Sequence, residues 1–309
     1  MNIGYNKPLY ILPFDHRSSF TKGMFGPLRE ASEEGKISQE TKSKVKEAKK
    51  VIYEAFQKGI ELGVPKIGAA ILVDEEYGSE ILLDANQKGF TTILTTEKSG
   101  QEVFDFEYGK KFPEHIKNLK PTFAKALVRY NPEASYEGNK IQLERLKKLS
   151  DFCHSNEFKL LIEPLIPPTQ EDLENSKGDK SIFDREIRPE LVVQMIKDFQ
   201  NAGVEPDIWK IEGLSDPLEY QHVVHQARSN GRDEVGVVIL GRGESKEKVV
   251  EWMEAGRDVN GVVGFAVGRT IFWQPLMDFK NEKISREESI DQIAQNYLHF
   301  YNLFVNKQQ

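Results

Sequence analysis

Phe158-Lys159-Leu160-Leu161-Ile162-Glu163-Pro164-Leu165 and Asp207-Ile208-Trp209-Lys210-Ile211 are two short runs, apolar nearly throughout. Runs of this length without clear alternation suit strands buried on both faces, as in parallel sheets. Between them, residues 188–202 carry Pro189 near the start and are followed by Gly203, which fits a helix start and stop. Working outward, the same kind of apolar run recurs at 9–14, 67–73, 91–96, 123–128, 235–240 and 261–267. Helical patterns lie at 38–62, 79–87, 142–153, 217–229, 246–255 and 286–304. In the first of these, Val45, Ala48, Ile52, Ala55, Phe56, Gly59 and Ile60 follow helical spacing. The alternation predicts an α/β fold, a (β/α)8 TIM barrel in a single domain spanning 1–309. An open doubly wound sheet is the alternative. It more often shows a glycine fingerprint after its first strand, and Phe14-Asp15-His16-Arg17 is not one.

Composition agrees with a globular chain. Of 309 residues, 39% are hydrophobic and 29% charged, enough to build a core, and the formal charge is −7. An acidic chain with no basic block argues against nucleic acid as the main partner. The single cysteine, Cys153, excludes an internal disulfide framework. The polar start at 1–7 has no signal-peptide character, and no apolar run approaches a membrane span, so a cytoplasmic protein is expected. Residues 167–188, rich in charge, follow the fifth strand; they read as a mobile loop or as a solvated insertion.

In such a barrel the C-terminal strand ends face the catalytic mouth. Those ends carry Asp15-His16-Arg17, Asp74, Glu97-Lys98-Ser99-Gly100, Lys125 with Arg129, Glu163, Lys210 with Glu212, Gly241-Arg242-Gly243 and Gly268-Arg269. Lys210 interrupts an apolar strand, which is costly unless the lysine is paired or neutral. It reads as a nucleophile toward a carbonyl, with Lys125 as a second cation, or as the partner of Glu163 in a structural ion pair. Glu163 is a candidate proton shuttle. The glycine–arginine pairs after strands seven and eight suit phosphate, through backbone N–H groups and the guanidiniums of Arg242 and Arg269. His222 and His225 fall on a helix and are expected at its surface. No metal site is expected, and Cys153 reads as a packed thiol.

Two longer motifs, residues 9–20 (LYILPFDHRSSF) and 264–273 (GFAVGRTIFW), resemble the aldolase-like domain fused to the C-terminus of some 5-dehydro-2-deoxygluconokinases of inositol catabolism. That domain is similar to class I tagatose-1,6-bisphosphate aldolase, and the resemblance runs over essentially the whole chain. It implies a (β/α)8 lyase with a Schiff-base lysine at Lys210 and an acid/base glutamate at Glu163; Lys125, read from strand four, would depress the Lys210 pKa and stabilise developing oxyanions. It implies substrate contacts at Asp15, Arg17, Asp74, Glu97, Lys98 and Glu212, and phosphate at Gly268 and Arg269; phosphate at Gly241, Arg242 and Gly243 is read from their place after strand seven. It implies no cofactor beyond a covalent imine. The favoured substrate is 2-deoxy-5-keto-gluconate 6-phosphate, giving dihydroxyacetone phosphate and malonate semialdehyde. A tagatose-1,6-bisphosphate-type or sulfosugar-phosphate aldolase, or a non-catalytic sugar-phosphate binder, are the alternatives. Two departures from the tagatose-type pattern, His16 for Gln and Gly241-Arg242-Gly243 for a Ser-x-Gly segment, sit where substrate would bind. A homo-oligomer is possible. The kinase half of the fused proteins is absent from this sequence, so the resemblance implies no ATP chemistry.

Overall fold

The structure is a computed structural model that describes residues 3–26 and 38–305. Positions 1, 2, 27–37 and 306–309 of the expected 1–309 domain, including the first two of its polar start, lie outside the described residues. Eight parallel strands close into a barrel in chain order: β1 (Leu9–Pro13), β2 (Ala69–Val73), β3 (Thr91–Thr95), β4 (Phe123–Arg129), β5 (Lys159–Leu165), β6 (Ile208–Glu212), β7 (Gly236–Leu240) and β8 (Val262–Ala266). Closure comes from β8 pairing with β1, with Tyr10 against Phe265 and Ile11 against Ala266. All eight apolar runs are strands, and the closed order excludes the open sheet.

Alternation sorts each strand into two cores. Leu9, Ile11, Ala70, Leu72, Ile93, Phe123, Leu161, Ile208, Val238 and Ala266 fill the barrel interior. Their neighbours, such as Leu12, Ile71, Ala124, Ile162, Trp209, Ile239 and Phe265, pack outward in a second, larger core. Each fully buried Leu, Ile or Val contributes about 1.5–3 kcal/mol by leaving water. Gly264 sits at an inward position, where a Cβ would lie 1.8 Å from the Leu9 carbonyl oxygen. Only glycine lets β8 approach β1 there.

The outer helices are α1 (Ser18–Phe25), α2 (Gln39–Glu61), α3 (Glu75–Gln87), α4 (Phe112–Leu119), α5 (Tyr136–Ser155), α6 (Gln170–Asn175), α7 (Lys180–Ile182), α8 (Arg188–Asn201), α9 (Pro217–Ala227), α10 (Lys246–Gly256), α11 (Arg269–Lys280) and α12 (Arg286–Val305). Ser38 caps α2 by accepting from the Thr41 N–H, and Asp216 with Glu219 forms a capping box on α9. Besides α6 and α7 in the loop segment 167–188, three helices, α1, α4 and α11, lacked a sequence expectation. Helices α1 and α4 are eight residues each, too short for a clear period. Helix α11 holds Pro275 in its interior, which removes the N–H that would bond the Ile271 carbonyl. The Asn296 side chain of α12 supplies the missing donor to that carbonyl at 2.9 Å. Residues 167–188 fold as α6, α7 and a π-helical turn (Phe183–Ile187), with Asp172 and Phe183 buried.

Candidate active site

The inward positions of each strand continue past the apolar interior toward the C-terminal mouth, two residues at a time. Phe123 leads to Lys125, Leu161 to Glu163, Ile208 to Lys210, and Ile93 through Thr95 to Glu97. β1 leads from Ile11 through Pro13 to Asp15. The polar groups thus share the parity of the core beneath them, and a period of 2 delivers them to one place. They line a cavity of about 570 Å³. Asp15, Arg17, Glu97, Lys98, Lys125, Glu163, Lys210, Gly241, Arg242, Gly243, Gly268 and Arg269 all border it.

A buried charge cluster forms its floor. Lys125 Nζ donates to Asp15 Oδ2 at 2.8 Å and to Glu97 Oε1 at 2.6 Å, and stands 2.9 Å from Glu163 Oε2. Lys210 Nζ reaches the same Glu163 oxygen at 2.8 Å. Lys125, Lys210, Glu163 and Asp15 are each less than a tenth exposed. Burial disfavours the charged form of Lys125, but Asp15, Glu163 and Glu97 outweigh it and raise its pKa well above the ordinary value. Burial would likewise raise Glu163, yet Lys125 and Lys210 lower it below the usual carboxylate value. Asp15 is held well below its ordinary value, because Lys125 and its neighbours outweigh burial. The ion pair of Lys210 and Glu163, one of the two readings of Lys210, is present, with Lys125 beside it.

The rim carries further cations. Lys98, Arg129 and Lys22 are exposed at the β3, β4 and α1 side. On the opposite side, Arg269 lies across the turn after β7, with one nitrogen 3.4 Å from the Arg242 carbonyl oxygen. Gly243, at φ +75°, makes this possible, since a Cβ there would lie 2.5 Å from that guanidinium. Arg242 itself adopts φ +50°, unusual for a residue with a side chain. Its guanidinium is already held, through Nε to Glu212 and through Nη1 to Asp184 at 3.5 Å. Of the two arginines, Arg269 has the side chain more open to an anion.

Two residues expected at the substrate lie outside the cavity lining. Asp74 ends β2 at an inward position, but the chain turns there into α3, and its carboxylate caps that helix through the Tyr77 N–H at 2.9 Å. The same carboxylate pairs with buried Lys49 of α2. Glu212 ends β6 and is buried beside Arg242 and the Ile166 N–H; burial raises its pKa. Arg17 borders the cavity, yet its guanidinium is bound to Glu107 at 2.5 Å and to the Glu97 carbonyl. It braces the β3 loop. Lys49 and Glu107 carried no sequence signal, because a lysine or a glutamate in a polar segment looks the same whether it is solvated or paired.

His222 and His225 are exposed on α9. Among the described residues, no group of three or more His, Cys, Asp or Glu is arranged to hold a metal ion, and no helix is long and apolar enough to cross a membrane. Cys153 is buried, and burial raises its thiol pKa.

Over 223 residues the chain is 25% identical to the tagatose 1,6-diphosphate aldolase of Listeria monocytogenes serotype 4b, and equally so to that of Listeria innocua serovar 6a. Each match covers 66% of this chain and 62% of the relative, so the chain spans less than two thirds of those relatives' length. Among solved structures, an archaeal fructose 1,6-bisphosphate aldolase aligns with a TM-score of 0.60 at 14% identity, over 96% of this chain and 94% of that one. A protein from Corynebacterium glutamicum aligns with a TM-score of 0.56 at 16% identity, over 96% and 88%. At those identities the structural likeness speaks to the barrel alone. The family model described as "Uncharacterized protein conserved in bacteria (DUF2090)" matches residues 4–308, and the chain belongs to that family.

Proposed function

We propose that this protein is a class I aldolase that cleaves or forms a phosphorylated keto-sugar or keto-sugar acid, working as one catalytic domain. The observation that carries the reading is a buried lysine on an inward strand position, Lys210, 2.8 Å from a carboxylate that a second buried lysine, Lys125, also contacts at 2.9 Å. Lys210 passes its proton to Glu163, and the freed amine attacks the substrate ketone. The resulting alkoxide takes up a proton, and water leaves to give a protonated imine. That imine draws the electron pair of the breaking carbon–carbon bond as Glu163, again a base, removes the proton of the hydroxyl whose carbon becomes the aldehyde. Protonation of the enamine and hydrolysis return Lys210. Lys125, caged by three carboxylates, keeps its proton throughout and stabilises negative charge on developing oxygens.

Arg269, with the N–H groups of the turns after β7 and β8, would hold the substrate phosphate; Lys98 faces it across the cavity. The aldolase names of the Listeria relatives support this class. The resemblance of the motifs at 9–20 and 264–273 favours 2-deoxy-5-keto-gluconate 6-phosphate as the substrate. Borohydride reduction in the presence of candidate phosphosugars, followed by mass mapping, tests the reading. The reading expects the adduct on Lys210; turnover with no trapped lysine would overturn it.

A further inference from the structure

Four residues close a ring of alternating charge beside the mouth. Arg188, the first residue of α8, is fully buried, and its Nε donates to Asp184 Oδ1 at 2.9 Å. The same Asp184 oxygen stands 3.5 Å from Arg242 Nη1. Arg242 pairs through Nε with Glu212, at the end of β6. Arg188 completes the ring by donating to the backbone carbonyls of Glu212 at 3.3 Å and Gly213 at 2.9 Å. Buried charges last only when paired in this way. The ring joins the π-helical turn of the 167–188 stretch, the end of β6 two residues beyond Lys210, and the turn after β7. An exposed pair, Lys180 with Glu244 at 2.7 Å, ties the same stretch to the same turn, but a solvated pair adds little.

Arg242 borders the catalytic cavity, whereas Asp184 and Arg188 border a smaller one of about 290 Å³ outside it. Asp184 therefore reaches the substrate side through Arg242. At φ +50°, Arg242 holds a backbone conformation that is costly for a residue with a side chain and persists where its surroundings impose it. Glu212 and Asp184 impose it by holding the planar guanidinium from two directions, which a lysine cannot offer. The conformation sets the backbone of the turn. The Arg242 carbonyl accepts from Arg269 at 3.4 Å, and the next residue, Gly243, leaves room for that guanidinium. A chain of direct contacts thus runs from buried Arg188 through Asp184 and Arg242 to Arg269.

We propose that Asp184 is a positioning residue for the substrate phosphate. It fixes the Arg242 guanidinium, and through it the turn whose carbonyl orients Arg269. The 167–188 stretch then braces the phosphate subsite, and its effect is felt by substrates that carry the phosphate. The proposal rests on the aldolase reading above, with phosphate at Arg269.

The test uses the full chain and two ketones, dihydroxyacetone phosphate and dihydroxyacetone, which differ in the phosphate. The readout is the ketone concentration that gives half-maximal borohydride trapping on Lys210. The native protein is expected to prefer the phosphorylated ketone. Asp184→Asn keeps the shape and removes the charge. It should weaken dihydroxyacetone phosphate by about 3–10-fold, the size of one lost hydrogen bond, and leave dihydroxyacetone unchanged. A merely structural role would move both ketones alike. Arg242→Lys breaks the bridge from the other side and leaves the buried pair of Arg188 and Asp184 in place. It should give the same pattern, and the double variant should bind dihydroxyacetone phosphate no more weakly than Arg242→Lys alone. Native affinity for dihydroxyacetone phosphate in Asp184→Asn, equal weakening of both ketones, or losses that multiply in the double variant overturns the assignment while the imine at Lys210 stands. If Asp184→Asn does not fold, Arg242→Lys decides: selective weakening of dihydroxyacetone phosphate supports the proposal and native affinity overturns it. A native chain that traps both ketones equally well has no phosphate subsite to brace, and the proposal falls with the imine intact. If neither ketone is trapped, the aldolase reading itself fails, and this proposal fails with it.

Discussion

Lys125 and Lys210 share one carboxylate oxygen, Glu163 Oε2, at 2.9 and 2.8 Å. Lys125 has two further carboxylate partners, Asp15 and Glu97, whereas Glu163 is the carboxylate that Lys210 touches. In the proposed mechanism this asymmetry divides the roles: the caged lysine holds charge, and the other gives up its proton to a neighbour already in contact.

Glu163→Gln should lower turnover by about 10²–10⁴-fold, the usual contribution of a positioned acid or base. It also leaves two buried ammonium groups with one carboxylate fewer. A loss of about 3–5 kcal/mol in urea unfolding is expected, as when one partner of a buried ion pair is removed. Native turnover in this variant would remove Glu163 from the chemistry.

Arg269 and Arg242 should separate cleanly. Arg269→Ala removes an exposed guanidinium from the anion side of the cavity. It should raise KM by about 10–100-fold with little change in kcat or in stability. Arg242→Ala leaves buried Glu212 without its guanidinium partner. It should destabilise the fold by about 3–5 kcal/mol. Thermal melts alongside steady-state kinetics check both, and equal behaviour of the two variants would contradict the division.

Acid should unfold the protein through the floor of the site. The Asp15 and Glu163 carboxyls titrate lower in the fold than in the unfolded chain. The stability they contribute is fully present above the unfolded values, near pH 4, and is lost as pH falls through the folded ones. Asp15→Asn should therefore be less stable than the native protein at pH 7. Below pH 4 its unfolding free energy should fall less steeply, by up to about 1.4 kcal/mol per pH unit. An unchanged slope in denaturant titrations across pH 2–5 would contradict the linkage.

A protonated imine is its own electron sink, so the proposed chemistry needs no metal ion. Turnover should survive excess EDTA. Loss on chelation, restored by zinc, would overturn the class I assignment.

The strands and most of the large helices were legible because burial writes itself into sequence. An apolar run such as 235–240 has one explanation in a chain of this kind, and Lys210 stood out because it broke one. The cavity followed from the same signal, since Lys125, Glu163 and Lys210 each sit two residues beyond an inward core position. What stayed hidden was partnership. Asp74 has the right parity and the right strand end, yet it caps α3 and binds Lys49, 25 positions away. Helix α11 was masked by Pro275, whose defect is repaired by Asn296 from the next helix. Such contacts depend on where distant segments meet, and a local pattern does not encode them.

Lys210→Arg tests the central claim most directly. It keeps a cation beside Glu163 but cannot form an imine. The account predicts a folded protein whose turnover is lower by orders of magnitude and which yields no borohydride-trapped adduct with a phosphosugar that labels the native chain. A folded Lys210→Arg protein that cleaves that substrate near the native rate would contradict it.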